Sequence, residues 1–180
     1  MKTIIILSIN SYWLQKILNK DKEFEVRKSI PSIVGKLLDG ICENEVEVHL
    51  YCTNAAPYLF YENESDGRFI DTKPYQLAKI KNRYLEEDDA YFNGKIIGKF
   101  TLKKIETIKY IGSERYATDN LGDTFLRYKT CLSIEKMHSY LKESVGYAWH
   151  IDELEVFDEQ KLLIDYNITR APQSYCYATI

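Results

Sequence analysis

The sequence predicts an α+β fold, a mixed, curled β-sheet with helices at the connections. Strand-like stretches stand near both termini and in the middle of the chain. Helices are expected at the connections between them rather than in repeated βαβ units. One strand also carries an interior glycine, Gly98, as expected where a sheet bulges, curls or lets another backbone approach.

The elements follow in order. Residues 3–9, TIIILSI, form a near-continuous apolar run, the pattern of a central strand buried on both faces. Asn10 or Ser11 caps a helix whose buried stripe is Trp13, Leu14, Ile17 and Leu18, with Lys16 facing out. That helix ends near Asn19, and a strand is expected over residues 23–28. Ser32, after Pro31, predicts the start of a second helix carrying Ile33, Val34, Leu37, Leu38 and Ile41 and ending near Gly40. In residues 46–52, Val48, Leu50 and Cys52 alternate with Glu47, His49 and Tyr51, so a half-buried strand is expected with His49 on its solvated face. Residues 53–73 read as a loop with one extended piece at YLFY. Thr72 and Pro74 open a third helix through about Leu85, made locally basic by Lys73, Lys79, Lys81 and Arg83. The acidic Glu86, Glu87, Asp88 and Asp89 follow it, and its charge reads first as a solvated face. Asn93-Gly94 marks a turn before the strand that contains Gly98. A short helix is expected around residues 124–129. Ser133 caps another, with Leu132 and Met137 as a hydrophobic staple. In GYAWHIDELEVF, Tyr147, Trp149 and Ile151 share one face before the phase shifts to Leu154 and Val156, predicting a bulge near Asp152 and Glu153. A strand led by Pro172 closes the sequence.

The 180 residues have the size of one domain, 1–180, with a less typical insertion around residues 57–90. Hydrophobic residues make up 45% and charged residues 28%, ordinary for a soluble globular chain. No apolar run reaches the roughly 18 to 20 residues of a membrane-spanning helix. The apolar start is too short for a signal-peptide core, so a cytoplasmic location without membrane contact is expected. A net charge of −3 weighs against a protein that coats phosphates nonspecifically, because such binding comes mostly from neutralised phosphates. It leaves open recognition of a single nucleotide by a local basic patch. Cys42, Cys52, Cys131 and Cys176 fall at no metal-ligand spacing, so reduced core thiols, no metal and no cofactor are expected.

The stretch NKDKEFEVRKSIP, residues 19–31, holds the candidate site. Strand alternation puts Glu23, Glu25 and Arg27 on one face and aims Phe24 and Val26 into a core. Lys22 stands at the mouth of the preceding turn. A carboxylate beside two cations stays ionised and accepts hydrogen bonds, while Lys and Arg hold a phosphate or a base carbonyl. A plain surface salt-bridge cluster would carry the same residues.

This spacing resembles the GxKxxExR signature of ASCH domains, with Lys22, Glu25 and Arg27 on its Lys, Glu and Arg. Its Gly position is Lys20 here; Asn19, the next-best residue for a left-handed cap, is expected to take that conformation instead. The opening strand and helix, VEVHLYCT, NGKIIGKF, GYAWHIDELEVFD and APQSYCY are similar to the family's elements in the same order. The resemblance implies a PUA-like pseudobarrel.

It also implies function. The expected role is an RNA-binding or nucleotide-binding module, whose partner is RNA or a modified nucleotide. The ligand-binding residues would be Lys22, Glu25, Arg27, Trp149, His150, Gln173 and Ser174. Trp149 would supply an aromatic wall for an extruded base, or else fill the core with Tyr147 while His150 points to solvent. Some family members resemble amidohydrolases of acetylated cytidine, so a small hydrolase of a modified nucleoside or of RNA is the alternative, with Lys22 and Glu25 as acid–base pair. The nucleophilic Thr of those members is Glu25 here, a poor substitute for amide hydrolysis. A regulator of prophage type with a protein partner is the third reading, and it fits the acidic net charge.

Overall fold

Ile4, Ile5, Ile6 and Leu7 have no exposed surface, so β1 (Thr3–Ile9) is enclosed on both faces, as its unbroken apolar run requires. The structure is a computed structural model that describes residues 1–61, 67–72 and 91–180. The chain divides into two compact units. The first comprises Met1–Asn19, Glu47–Phe100 and Leu154–Ile180; the second comprises Lys20–Val46 and Thr101–Glu153.

In the first unit β1 runs parallel to β4 (Ile41–Cys52), with Ile5 opposite Val48, and antiparallel to β11 (Tyr175–Thr179), with Thr3 opposite Thr179. A parallel pair needs a crossover, and α1 (Ser11–Leu18) begins it. Asn10 caps that helix by accepting from the Trp13 N–H at 3.1 Å, and Leu14, Ile17 and Leu18 are buried. The extended piece at YLFY is β5 (Tyr58–Tyr61), and it pairs with β6 (Phe69–Thr72), which the sequence reading placed in a loop. The helix expected from Pro74 to about Leu85, with its basic and acidic residues, lies outside the described residues. β7 (Ile96–Gly112) follows the Asn93-Gly94 turn and lies beside β4. Gly98 meets the backbone of β10 (Asp152–Lys161): a Cβ there would lie 2.5 Å from the Glu155 carbonyl oxygen, which only glycine avoids.

The second unit joins β2 (Phe24–Arg27), β9 (Gly146–His150) and β7 in one antiparallel run. A short strand, β8 (Arg115–Ala117), pairs with the end of β7. The helices α2 (Asp123–Thr130) and α3 (Ile134–Leu141) contribute Leu126, Met137 and Leu141 to a core with Phe24, Val26, Ile108, Tyr116 and Ala148. Ser133 caps α3 by accepting from Lys136 N–H, and Leu132 packs against the cluster that holds Met137. The phase shift near Asp152 and Glu153 is present: β9 ends at His150, β10 starts at Asp152, and Glu153 has φ +51°.

Two expectations are corrected here. The second helix is a single 3₁₀ turn, Ser32–Val34, followed by a hairpin of β3 (Leu37–Leu38) with the start of β4. Asp39 and Gly40 turn that hairpin with φ +51° and +83°, so an Asp-Gly turn of this hand outweighs the helical spacing of the leucines. His49 is not solvated. It is 3% exposed, with Nδ1 2.9 Å from the Tyr166 hydroxyl and Nε2 2.6 Å from Glu47. An ionised Glu47 only accepts, so Nε2 carries the proton and Nδ1 accepts from Tyr166. The strand is buried on both faces because Tyr166 closes over the polar one.

This cluster makes the first unit acid-sensitive. Burial pushes His49 below its ordinary value against the pull of Glu47. Burial opposes ionisation of Glu47 too, but hydrogen bonds from His49 and Lys2 outweigh it and hold the carboxyl at about 2. Below pH 6.5 for His49, and between 4.5 and about 2 for Glu47, the unfolded chain binds protons that the folded chain does not. Stability therefore falls as pH falls through these windows. Urea unfolding should show a loss of about 2 kcal/mol from Glu47 alone by about pH 3, and a flatter profile for Glu47→Gln. A midpoint independent of pH over that range would contradict the assignment.

Candidate functional site

The site begins where α1 ends. Lys20, at the Gly position of the signature, itself adopts the left-handed conformation with φ +62°, while Asn19 stays helical with φ −79°. The expected shift of the cap to Asn19 does not occur. The Asn19 amide is committed elsewhere, donating to the Phe69 carbonyl and accepting from the Phe69 N–H, each at 2.8 Å. Lys20 therefore bears a backbone cost of about 1–2 kcal/mol.

β2 then alternates as expected. Phe24 and Val26 enter the core, and Glu25 and Arg27 lie on the opposite face. Glu25 is the centre of an ion triad. Its Oε1 accepts from Arg27 Nη2 at 2.9 Å, and its Oε2 lies 3.5 Å from Lys22 Nζ. Lys22 is not at a solvated turn mouth: it is 3% exposed and donates to the Thr130 carbonyl at 2.7 Å. That carbonyl ends α2, where backbone acceptors lack helical donors and the helix dipole is negative. Burial pushes the Lys22 ammonium below its ordinary value, and the charge of Glu25 opposes the shift. The next residue, Cys131, closes α2 in a left-handed cap, and its thiol donates to the Asp21 carbonyl at 3.2 Å.

Arg27 and Glu25 are the members of the triad that keep some exposure, 12% and 10% of their side chains against 2% for Lys22. Tyr140 of α3 lies in the field of this end of the triad. Burial raises its phenol, Arg27 lowers it and Glu25 raises it. Lys28 stands 4.9 Å from the centre of the Tyr140 ring.

The other sequence-predicted residues are placed as follows. Trp149 pairs with Glu25 across β2 and β9, but it has no exposed surface. It fills the interior, and the aromatic wall expected of it is not presented to a ligand in this structure. His150 pairs with Phe24 and stacks on its ring at 4.1 Å, so it does not simply point to solvent. Its Nε2 lies 3.1 Å from Glu106, a buried carboxylate that also accepts from Thr118 and Lys104. Burial lowers His150 against the pull of Glu106. Gln173 and Ser174 belong to the first unit. Gln173 lines a surface hollow there, and the Ser174 carbonyl accepts from Ser8 N–H at 2.9 Å. The sequence reading did not single out Thr130, Lys28 or Tyr140 as site residues. For Thr130 no side-chain signal existed, because its contribution is a backbone carbonyl.

The comparisons with known proteins bear on the fold. No family model matches the sequence, and no curated protein does. Among solved structures, an ASCH protein from Zymomonas mobilis superposes with TM-score 0.55 at 12% identity, covering 97% of this chain and 87% of that one. A serine-to-alanine mutant of the Zymomonas mobilis protein gives 0.54 at 14% identity, and a tyrosine-to-phenylalanine mutant gives 0.52 at 13%. Each covers 97% of this chain, and the chain covers 87% and 89% of them. The chain therefore has the PUA-like α+β fold of ASCH domains.

Two substitutions test the local account. Lys20→Gly should raise stability by about 1 kcal/mol, or about 2–4 °C in Tm, because it removes the left-handed strain. An unchanged or lower Tm would place the strain elsewhere. Glu25→Gln should lower stability by about 3 kcal/mol in denaturant melts, since it leaves two cations without their carboxylate. A loss below about 0.5 kcal/mol would mean the triad is no more than a surface ion pair.

Proposed function

We propose that the chain binds RNA or a modified nucleotide at the Lys22–Glu25–Arg27 triad. The observation that supports this is the make-up of the triad. Two cations flank one carboxylate in a setting nearly free of water, and the Arg27 and Glu25 side chains keep 12% and 10% of their surface exposed. A guanidinium fork suits a phosphate or a base carbonyl edge. Lys22 acts from inside, anchored on the end of α2 beside Glu25. Lys28 and Tyr140 complete the rim with a second cation and a ring. The ASCH-like fold fits an RNA-binding or hydrolase-type module, and the acidic net charge favours one local contact over a coated phosphate backbone.

One observation favours the hydrolase alternative. Burial lowers Lys22 toward the range where an amine can accept a proton, 3.5 Å from Glu25. Turnover separates the two readings: release of acetate from acetylated cytidine, or cleavage of a short RNA, would favour the enzyme. Fluorescence anisotropy with labelled single-stranded RNA and a hairpin tests the binding reading. Arg27→Ala should weaken binding by about tenfold or more while the protein stays folded at the assay temperature. Equal affinity in wild type, Arg27→Ala and Lys22→Met would remove the site.

A further inference from the structure

We propose that Asp71 carries a proton while β6 is docked on α1, and that its ionisation loosens that end of β6, a latch worked by pH. The latch stands apart from the triad and does not rest on the nucleic-acid reading. β5 and β6 form a two-stranded sheet of their own. From α1, three polar side chains spaced four residues apart hold β6, and that spacing puts them on one side of the helix. Ser11 Oγ lies 3.0 Å from Asp71 Oδ2. The Gln15 side chain accepts from the Asp71 N–H at 3.0 Å. Asn19 makes its paired bonds to the Phe69 backbone.

The proton count at Ser11 decides the state of Asp71. Ser11 is 2% exposed, and its oxygen stands 2.8 Å from the Pro57 carbonyl and 3.0 Å from Asp71 Oδ2. A hydroxyl has one proton to donate, and an ionised carboxylate only accepts. With Asp71 ionised, one of the two contacts would set oxygen lone pairs against each other with no proton between them. A proton on Asp71 satisfies both: the carboxyl donates to Ser11, and Ser11 donates to Pro57. The surroundings bear on the same proton. Asp71 is half-buried, and burial raises its carboxyl above the ordinary value, outweighing the Ser11 hydroxyl and the Lys16 ammonium of α1. The N-terminal end of α1 favours the anion as well. Cys52 of β4 also acts on Asp71, but burial pushes its thiol up to about 12, so it stays neutral. On ionisation one Ser11 bond is lost, while Gln15 and Asn19 keep their holds. Phe69 of β6 walls a surface hollow of about 490 Å³ together with Leu18, Phe92 and Phe157, so the latch sets the freedom of one wall of that hollow.

The sense is opposite to that of Glu47 and His49. Above 3.8 the folded chain keeps a proton that the unfolded chain has released, and this contribution to stability is lost as pH rises through the folded midpoint. The test is an NMR titration of the side-chain carboxyl carbons in the full chain. Asp71 should titrate above 3.8, and Ser11→Ala should lower its midpoint, because the acceptor of the carboxyl proton is gone. A higher midpoint in Ser11→Ala would mean that Ser11 donates to an ionised Asp71, and would overturn the latch. Docking is read from the hydrogen-exchange protection of the Asp71 amide, corrected for the intrinsic pH dependence of exchange. In the wild type this protection should fall about tenfold as pH rises through the midpoint. Asp71→Asn, whose amide donates to Ser11 at every pH, should hold it constant. A wild-type midpoint at or below 3.8, or the same protection profile in wild type and Asp71→Asn, would also overturn the proposal. If Ser11→Ala does not fold, the Asp71→Asn comparison decides alone.

Discussion

Glu25 sits between two cations where water barely enters, and the second unit is arranged to keep it there. A buried carboxylate is costly unless it is paired and hydrogen-bonded. Arg27 supplies a direct bond at 2.9 Å, and Lys22 supplies a second charge at 3.5 Å. Lys22 needs support of its own, because burial disfavours its ammonium. The carbonyl end of α2 provides that support through Thr130. The place of α2 therefore anchors a residue 108 positions earlier in the chain. Packing secures α2 in turn: Leu126 enters the same core as Phe24 and Val26, which flank Glu25 on β2.

This arrangement assigns different work to the two cations. Lys22 is enclosed and anchored on α2. Arg27 shares the exposed edge of the triad with Glu25. The likeness to Zymomonas mobilis ASCH structures, at 12–14% identity, concerns the backbone and says nothing of the ligand. The functional reading has to rest on the site itself.

Local patterns in the sequence made much of the fold legible. The apolar run of β1, the stripe of α1 and the Ser133 cap of α3 each depend on neighbours in the chain. Alternation on β2 likewise separated Phe24 and Val26 from Glu25 and Arg27. What stayed hidden depended on distant partners. His49 looked solvated because Tyr166, 117 residues away, is what buries it. Lys22 looked exposed because its partner is a backbone carbonyl with no side-chain signature. Between Gly35 and Ile41 two local signals competed, and the Asp39-Gly40 turn prevailed over a helical spacing. Trp149 is a partner of Glu25 by register, but register alone does not say whether a ring is covered.

The most direct measurement of the central claim is a heteronuclear NMR titration of the isotope-labelled protein with a short single-stranded RNA. It would follow the backbone amides and the Arg27 guanidinium resonances. Saturable shifts concentrated at residues 22–28 and in α2, with the Arg27 resonances among the largest, are the predicted result. A saturating titration whose shifts leave β2 and the Arg27 side chain untouched would contradict the account and place the binding surface elsewhere.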